Sequence, residues 1–240
     1  MDIIYKDEHI LIINKPAGLS VLPEGWEPNA PYLVKLLEEE YENPSTGSHC
    51  PDAPSGGQRI WVVHRLDKST SGVLAFALTA EAHRALSIQF EKHEVEKVYR
   101  AITVGAPPWK ERVTKFPLRV NVGNKHRTKV DNKNGVHSET KFKVLSWNQT
   151  SDELAEGAAL VEARPTTGRT HQIRVHAYAL GYPLLGDTLY SAPETNIIAR
   201  PALHAHSLSF NHPVSNEQVS FTVPYPADFK KALERLDLIR

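Results

Sequence analysis

Hydrophobic and polar residues alternate over many short stretches of the chain with the two-residue period of β-strands. Strands are predicted at 3–5 and 10–14, which form a hairpin, and at 73–78, 95–104, 140–147, 160–164, 203–210 and 219–223. Helices are predicted after Pro31, from a Thr79 cap to near His93, and over 168–180. Because strands outnumber helices without regular alternation, we expect an α+β fold with a mixed, largely antiparallel sheet and flanking helices.

The length and composition allow one large domain or two small ones, and we expect a single domain over 1–240. The chain has 240 residues, of which 40% are hydrophobic, enough for a sizeable core. Residues 43–58 are rich in Pro, Gly and Ser and predict a loop insertion. The chain has no long apolar run, no export signal and a single cysteine, Cys50. We therefore expect a cytoplasmic protein without a membrane span.

Charge is balanced over the whole chain and uneven along it. Lys and Arg number 28, and so do Asp and Glu. The segment 109–133, however, carries eight basic and two acidic residues. Such a surplus can form a positive surface, suited to a nucleic acid, on a neutral protein. A solvated basic hairpin without a partner explains the charge alone equally well.

A polar junction, HRLDKSTSG at 64–72, separates two apolar runs. Asp67 lies just after the first run, next to hydroxyl side chains that can bond the local backbone, and Gly72 permits an unusual turn. A carboxylate held in this way is a candidate nucleophile or general base. A surface ion pair with Arg65 is the alternative, and the residues of this junction alone leave both readings open.

A basic segment, RPTTGRTHQIRVH at 164–176, offers a cation. On a helix, Arg174 lies one turn beyond Thr170, anchored by Ile173 and Val175. Its guanidinium could keep a buried carboxylate ionised. A phosphate-contacting or merely solvated basic helix is the alternative.

Histidine spacing argues against a metal site. His171 and His176 are five residues apart, which does not place two ligands on one helical face. His204, His206 and His212 have no nearby cysteine or carboxylate cluster to complete a site. The sequence also contains neither a dinucleotide-binding motif nor a phosphate loop.

Four segments in order resemble motifs of the RluA-type family of pseudouridine synthases. They are INKPAGLSV at 13–21, HRLDKSTSGVLAFALT at 64–79, EKVYRAI at 96–102 and RPTTGRTHQIRVHAYALGYPLLGDTLY at 164–190. The resemblance implies the pseudouridine synthase fold with a central RNA-binding cleft. It also implies isomerisation of specific uridines in tRNA or rRNA to pseudouridine.

The resemblance further implies a role for individual residues. Asp67 is expected to be the catalytic carboxylate, Tyr99 to stack on the target uracil, and Arg174 to pair with Asp67. Arg65 is expected to enter the space that the extruded base vacates. Further RNA contacts are expected from Arg169, Lys125, Arg127 and Lys129.

The implied enzyme needs neither a metal ion nor an organic cofactor, and its partner is an RNA stem-loop. A monomer is the default expectation. Two rival functions are a binding module of the same fold that has lost catalysis, and a hydrolase that uses Asp67 to release free uracil.

Overall fold

The computed structural model describes residues 1–24, 30–42, 59–123, 127–150 and 154–239. The predicted insertion at 43–58 lies outside the described residues, as does Lys125. The chain divides into two compact units, Met1–Val95 with Leu208–Thr222 and Glu96–Ser207 with Val223–Arg240.

The secondary structure elements are named here in chain order. They are β1 (Ile3–Lys6), β2 (Ile10–Lys15), α1 (Leu33–Glu42), β3 (Trp61–Val62), β4 (Ser71–Ala77), α2 (Ala80–Glu91), β5 (Glu96–Val104), β6 (Glu111–Thr114), β7 (Leu118–Val122), β8 (Arg127–Val130), β9 (Thr140–Asn148), β10 (Ala158–Pro165), α3 (Gln172–Ala179), β11 (Leu203–Asn211), β12 (Gln218–Thr222) and α4 (Ala227–Arg235).

The first unit is built around two buried strands, β2 and β4. They pair antiparallel, from Ile10 opposite Ala77 to Lys15 opposite Gly72. Every residue of β4 is buried, as expected for a continuous apolar run covered on both faces. The predicted hairpin of β1 and β2 is confirmed. Helix α2 begins as predicted, because the Thr79 side chain accepts a hydrogen bond from the Ala82 N–H at 3.2 Å.

The second unit contains the strand order β5-β10-β9-β6, and β7 and β8 form a separate two-stranded hairpin. Helix α3 contributes Ile173 and Ala177 to a buried cluster with Phe142, Val161 and other side chains of this sheet. Strand β11 is divided, with residues 203–207 in the second unit and 208–211 in the first.

The predicted fold class is confirmed. The strand pairs β1–β2, β2–β4, β3–β4, β5–β10, β9–β10, β6–β9 and β7–β8 are all antiparallel. None of the described helices is long and apolar enough to cross a membrane.

The predicted start of α3 was wrong by four residues, since the helix begins at Gln172 and not at Gly168. His171 has a left-handed backbone (φ 54°), which a continuous helix does not allow. The Gln172 side-chain oxygen accepts hydrogen bonds from the Thr167 hydroxyl at 2.7 Å and the Arg169 N–H at 3.0 Å. These bonds stabilise a turn before the helix.

Candidate active site

Asp67 lies on the loop that leads into β4 in the first unit. Its side chain is half-buried, whereas Leu66 before it and Thr70 after it are buried. The Thr70 N–H donates to the Asp67 carbonyl at 3.0 Å, and the Gly18 N–H donates to the Lys68 carbonyl at 2.7 Å. The carboxylate is therefore carried by a backbone that is fixed by hydrogen bonds on the residues around it.

Lys15 is a fully buried cation beneath this loop. Its ammonium group donates to the carbonyl oxygens of Pro16 at 2.8 Å, Leu19 at 2.7 Å and Lys68 at 3.3 Å. Lys15 can reach the loop because it is paired with Gly72, at the start of β4. Burying a charge costs free energy unless hydrogen bonds compensate it, so the bonds to these carbonyls stabilise the buried ammonium group. Lys15 thereby ties the end of β2 to the segment that carries Asp67.

His64 fixes the beginning of the same loop. Its Nε2 accepts the Ala75 N–H at 3.1 Å, and its ring stacks on Phe90 with centroids 4.5 Å apart. The next residue, Arg65, is exposed. The guanidinium is thus displayed to solvent two residues before Asp67.

Tyr99 lies on β5 in the second unit, opposite Ala163 on β10. It is half-buried and packs against the buried cluster to which Ile173 and Ala177 of α3 belong. The structure therefore brings Tyr99 and the helix that carries Arg174 onto one cluster of the second unit.

Arg174 forms a buried ion pair with Asp187. Its Nε donates to Oδ2 and its Nη2 donates to Oδ1, both at 2.7 Å. Arg174 and Asp187 are 6% and 1% exposed. Two parallel charge-assisted hydrogen bonds fix the plane of a guanidinium as well as its position. Asp187 therefore orients Arg174, a role that the sequence analysis did not assign.

Gly186 determines where Asp187 is placed. Its φ of +75° lies in the left-handed region, and an added Cβ would lie 2.3 Å from the Arg200 carbonyl oxygen. Only glycine meets both conditions without strain.

Tyr190 packs beside the ion pair and is 2% exposed. The Arg174 guanidinium carbon lies 5.1 Å from its ring centroid, a distance typical of cation–π contacts. The Tyr190 hydroxyl accepts the Thr128 N–H at 3.1 Å and forms a hydrogen bond of 2.9 Å with His171 Nδ1. Tyr190 thus connects α3 to strand β8 of the basic hairpin.

Lys97 lies two residues before Tyr99 on the same face of β5. Its ammonium group donates to the Thr167 carbonyl at 3.2 Å, in the turn before α3. Burial lowers the pKa of Lys97 to about 8. This lysine therefore tethers the Tyr99 strand to the start of the Arg174 helix.

The predicted RNA-contacting side chains differ in their surroundings. Arg169 and Lys129 are exposed, although Arg169 Nε also donates to the His137 carbonyl at 3.4 Å. Arg127 is half-buried and donates to the Leu189 carbonyl. Arg127 thus makes a hydrogen bond within the protein, in addition to the RNA contact that is expected of it.

Three of the histidines that were weighed as metal ligands lie in two settings. His176 is buried and bonds to the Thr140 hydroxyl and the Phe116 carbonyl, and burial lowers its pKa. His204 and His206 lie among aromatic rings, with their own centroids 6.1 Å apart. Across the described residues, no group of three or more His, Cys, Asp or Glu could hold a metal ion.

A family model described as RNA pseudouridylate synthase matches residues 9–179. The chain belongs to the RNA pseudouridine synthase family. It is 37% identical over 228 residues to the dual-specificity RNA pseudouridine synthase RluA of Salmonella typhi, which covers 95% of this chain and 93% of that protein. The predicted RluA-type family is therefore confirmed, and the protein is an isomerase that acts on RNA.

Two further comparisons agree. The ribosomal large subunit pseudouridine synthase D of Zymomonas mobilis is 34% identical over 247 residues, or 98% of this chain and 73% of that protein. The solved structure of human RNA pseudouridylate synthase domain containing 4 matches with a TM-score of 0.77 and 25% identity, over 100% of this chain and 94% of that one. The predicted pseudouridine synthase fold is confirmed.

In this pseudouridine synthase, sequence reasoning missed Lys15 and Asp187. Both lie inside motifs that were recognised, but neither was singled out there. A lysine next to a proline at the end of an apolar strand, and an aspartate after Leu184-Leu185-Gly186, are the available signals. A charged residue directly after a buried run needs a partner, and this requirement could have marked both.

Proposed function

We propose that this pseudouridine synthase isomerises a uridine in a tRNA or rRNA stem-loop and that Asp67 is its essential carboxylate. The observation that carries the proposal is the setting of Asp67, a half-buried carboxylate on a loop that the buried Lys15 ammonium and backbone hydrogen bonds hold in place. A group that must attack one atom of a bound nucleotide gains from being fixed in advance.

The reaction rearranges one nucleotide without changing its mass. The glycosidic bond between N1 and C1′ breaks, the uracil turns, and C5 forms a new bond to C1′. C5 then loses its hydrogen as a proton, and N1, which has lost its bond to C1′, gains a proton, so the mass is unchanged. Asp67 serves as the nucleophile in this proposal. If it attacks the sugar carbon, it is displaced from C1′ as the C5–C1′ bond forms; if it attacks the base, it is eliminated from the base after that bond has formed.

Tyr99 and Arg174 are proposed to act on the same uridine. Tyr99 would stack on the uracil and help to remove the C5 proton. Arg174 would favour the ionised form of Asp67, because an opposite charge stabilises a carboxylate. The Asp187 pair supports this role, since it holds the planar guanidinium in a fixed orientation.

The target base must leave its stack to react, at a cost of a few kcal/mol. The exposed Arg65 is proposed to enter the vacated space, where a planar cation can stack on neighbouring bases. Exposed basic side chains such as Lys129 and Arg169 are proposed to contact phosphates. Lys125 and Arg127 complete this proposed set.

The remaining expectations belong to the same proposal. The two compact units are proposed to act as one catalytic domain, as a monomer in the cytoplasm and without a metal or organic cofactor. The names of the relatives, one a dual-specificity enzyme and one a ribosomal large subunit enzyme, support an RNA substrate class without naming the uridine.

A direct test compares wild type with Asp67→Ala on bulk tRNA and rRNA from a strain that lacks the enzyme. Pseudouridines are mapped by carbodiimide labelling, and free uracil is measured in the supernatant. Glu91→Ala is the control, since Glu91 is an exposed carboxylate on α2 of the same unit. We expect new pseudouridines with wild type and the control and none with Asp67→Ala.

Other outcomes separate the rival functions. Identical maps for wild type and Asp67→Ala would contradict the role of Asp67. RNA binding without any new pseudouridine would favour a binding module. Release of uracil would favour a hydrolase.

A further inference from the structure

Lys97 is a half-buried cation of the second unit that the proposed mechanism does not use. Its ammonium group donates to the Thr167 carbonyl at 3.2 Å, the single hydrogen bond that it makes within the described part of the chain. An ammonium group has three N–H donors, and a charge withdrawn from water needs such partners. The placement of this cation therefore depends on one carbonyl oxygen.

The carboxylates on the segments around Lys97 are paired with other cations. These ion pairs are Glu96–Arg164, Glu162–Arg164, Glu139–Lys115 and Asp187–Arg174. Of the other ionisable groups, Tyr99 lies on the same face of β5, and Arg169 and His171 lie in the turn before α3. None of these three side chains supplies a negative charge at neutral pH. Burial is what lowers the pKa of Lys97 to about 8.

Thr167 is the buried centre of the turn that precedes α3. Its hydroxyl donates to Gln172 Oε1 at 2.7 Å and accepts the Glu139 N–H at 3.1 Å. The Gln172 side chain also donates to the Glu139 carbonyl at 2.9 Å. Glu139 and Gln172 thus fix the turn to the segment before β9 and to the helix, and Lys97 fixes it to β5.

The turn determines where α3 begins and therefore where Arg174 lies. Gln172 is the first residue of α3 and Arg174 is the third. Asp187 holds the Arg174 guanidinium through two bonds of 2.7 Å, so a displacement of the helix start moves the Arg174 backbone against a fixed head group. A misplacement of about 1 Å in a group that acts on substrate can lower a rate about a hundredfold.

We propose that Lys97 is a positioning residue for Arg174, whose ammonium group holds the Thr167 carbonyl and so keeps the start of α3 in place on the Tyr99 strand. Charge-assisted hydrogen bonds are about twice as strong as neutral ones, so the turn loosens when Lys97 loses its proton. The inference rests on the proposed function, because it takes the roles of Tyr99 and Arg174 in the isomerisation from there.

Turnover and stability should respond in opposite directions to alkaline pH. The pKa of Lys97 falls from its ordinary value of 10.5 to about 8 in the folded protein. Between these two pH values the unfolded chain keeps a proton that the folded protein has lost, so the contribution of Lys97 to stability rises with pH. Turnover should fall over the same range, because the bond to Thr167 loses its charge. A lysine with a purely structural role would not lower turnover where the fold gains stability.

Two substitutions test the role of the charge through kcat and KM, measured from about pH 7 to about pH 9 on the RNA that the pseudouridine map identifies. Lys97→Arg keeps a cation throughout, so its profile should lack the fall above about pH 8 that wild type shows. The ratio of the two profiles removes the titration of the RNA and of other side chains. Lys97→Met keeps the stem without a donor and should lower kcat roughly tenfold at every pH, with KM within about twofold.

Lys143→Met is the matched control, because Lys143 is a half-buried lysine that lies opposite Glu162 on β9 of the same sheet. It should keep the wild-type kcat and pH profile. Thermal denaturation checks the fold, and Lys97→Met should not lower the melting temperature, since it removes a buried cation that has no carboxylate partner. Equal kcat for wild type and Lys97→Met, or an alkaline fall that Lys97→Arg shares with wild type, would overturn the inference.

A second measurement follows the turn without any RNA. The Ile173 methyl groups of the full chain are labelled for NMR, and their signals are recorded over the same pH range. We expect them to shift with a midpoint near pH 8 in wild type and not in Lys97→Arg. Signals that are constant in wild type would overturn the inference. Absence of pseudouridine formation by wild type would contradict the proposed function instead, while an Ile173 shift that depends on Lys97 would still support the link between Lys97 and α3.

Discussion

Arg174 and Asp187 are joined by two parallel hydrogen bonds of 2.7 Å inside the second unit. Both side chains are almost completely buried. The guanidinium that is proposed to stabilise the catalytic carboxylate is therefore fixed by a second carboxylate thirteen residues further along the chain. The orientation of Arg174 depends on protein contacts and does not require a bound substrate.

Removing the Asp187 side chain should lower the stability of the protein. Asp187→Ala leaves a buried guanidinium without this partner, so we expect a loss of about 3–5 kcal/mol in the free energy of unfolding, together with reduced turnover. Urea denaturation measures the first and pseudouridine formation the second. Glu39→Gln is the control, since the Lys35–Glu39 pair is exposed and should contribute less than about 0.5 kcal/mol. Equal losses in both variants would contradict the account.

Gly186 should not tolerate a side chain. Gly186→Ala combines a left-handed backbone with a contact of 2.3 Å to the Arg200 carbonyl, so we expect a loss of about 3 kcal/mol or more. Gly168→Ala is a matched control, because Gly168 has no positive φ and nothing within 4 Å of an added Cβ. Its change should stay within about 0.5 kcal/mol. Thermal denaturation of the two variants measures these losses, and equal melting temperatures would contradict the prediction.

Stability should fall in mild acid because of His204. Burial, with smaller effects of the nearby His206 and Arg200 charges, lowers the pKa of His204 to about 4. In the unfolded chain a histidine titrates near 6.5. Between about pH 6.5 and pH 4, His204 therefore binds a proton in the unfolded chain but stays neutral in the folded protein. The contribution of His204 to the free energy of unfolding is fully present above about pH 6.5. It is lost as the pH falls toward 4, which lowers the free energy of unfolding by about 3 kcal/mol.

The variant His204→Phe tests this assignment through the free energy of unfolding measured at several pH values. Phenylalanine suits the surrounding rings of Tyr225 and Phe229 and cannot take a proton. The variant should have a smaller slope between pH 6.5 and pH 4, with the remainder due to other buried histidines such as His176 and His206, whose pKa values burial also lowers. His137→Asn, at an exposed position, should keep the slope. A slope that His204→Phe leaves unaltered would exclude His204 as its source.

Arg65 should affect turnover more than binding. If its side chain occupies the space of the extruded base, Arg65→Ala should lower kcat roughly tenfold or more and change the dissociation constant of the RNA much less. Single-turnover assays and filter binding give the two quantities. Arg84→Ala, at an exposed position on α2 of the same unit, should alter neither strongly. Equal losses in kcat and affinity would reduce Arg65 to an ordinary phosphate contact.

The sequence predicts well those elements whose signals are local. The apolar run of β4 requires burial, and the Thr79 cap marks the start of α2, so both were predicted. Asp67 was predicted as the catalytic carboxylate from its place between two apolar runs together with the family resemblance, and this role stays a prediction. Helix α4 (Ala227–Arg235) was missed, since its buried residues Phe229, Ala232 and Leu233 are few within a short charged segment.

Pairings between distant residues were harder to predict. The sequence shows that Arg174 and Asp187 are charged, but the fold alone decides that they meet. The same is true of Lys15, because its partners are backbone carbonyls on two loops, which the pattern of side chains in the sequence does not identify. The helix predicted over 168–180 includes Gln172, but the sequence does not show that the bonds of its side chain stabilise the turn before α3.

The most direct test of the account is tritium release from RNA labelled at C5 of uridine, with wild type and Asp67→Asn compared in single turnover. Asparagine keeps the size of the side chain and removes its charge, so binding and folding should be retained. We predict that wild type releases tritium into water as pseudouridine accumulates, and that Asp67→Asn releases none above background at equal RNA occupancy. Release by Asp67→Asn at the wild-type rate would contradict the central claim.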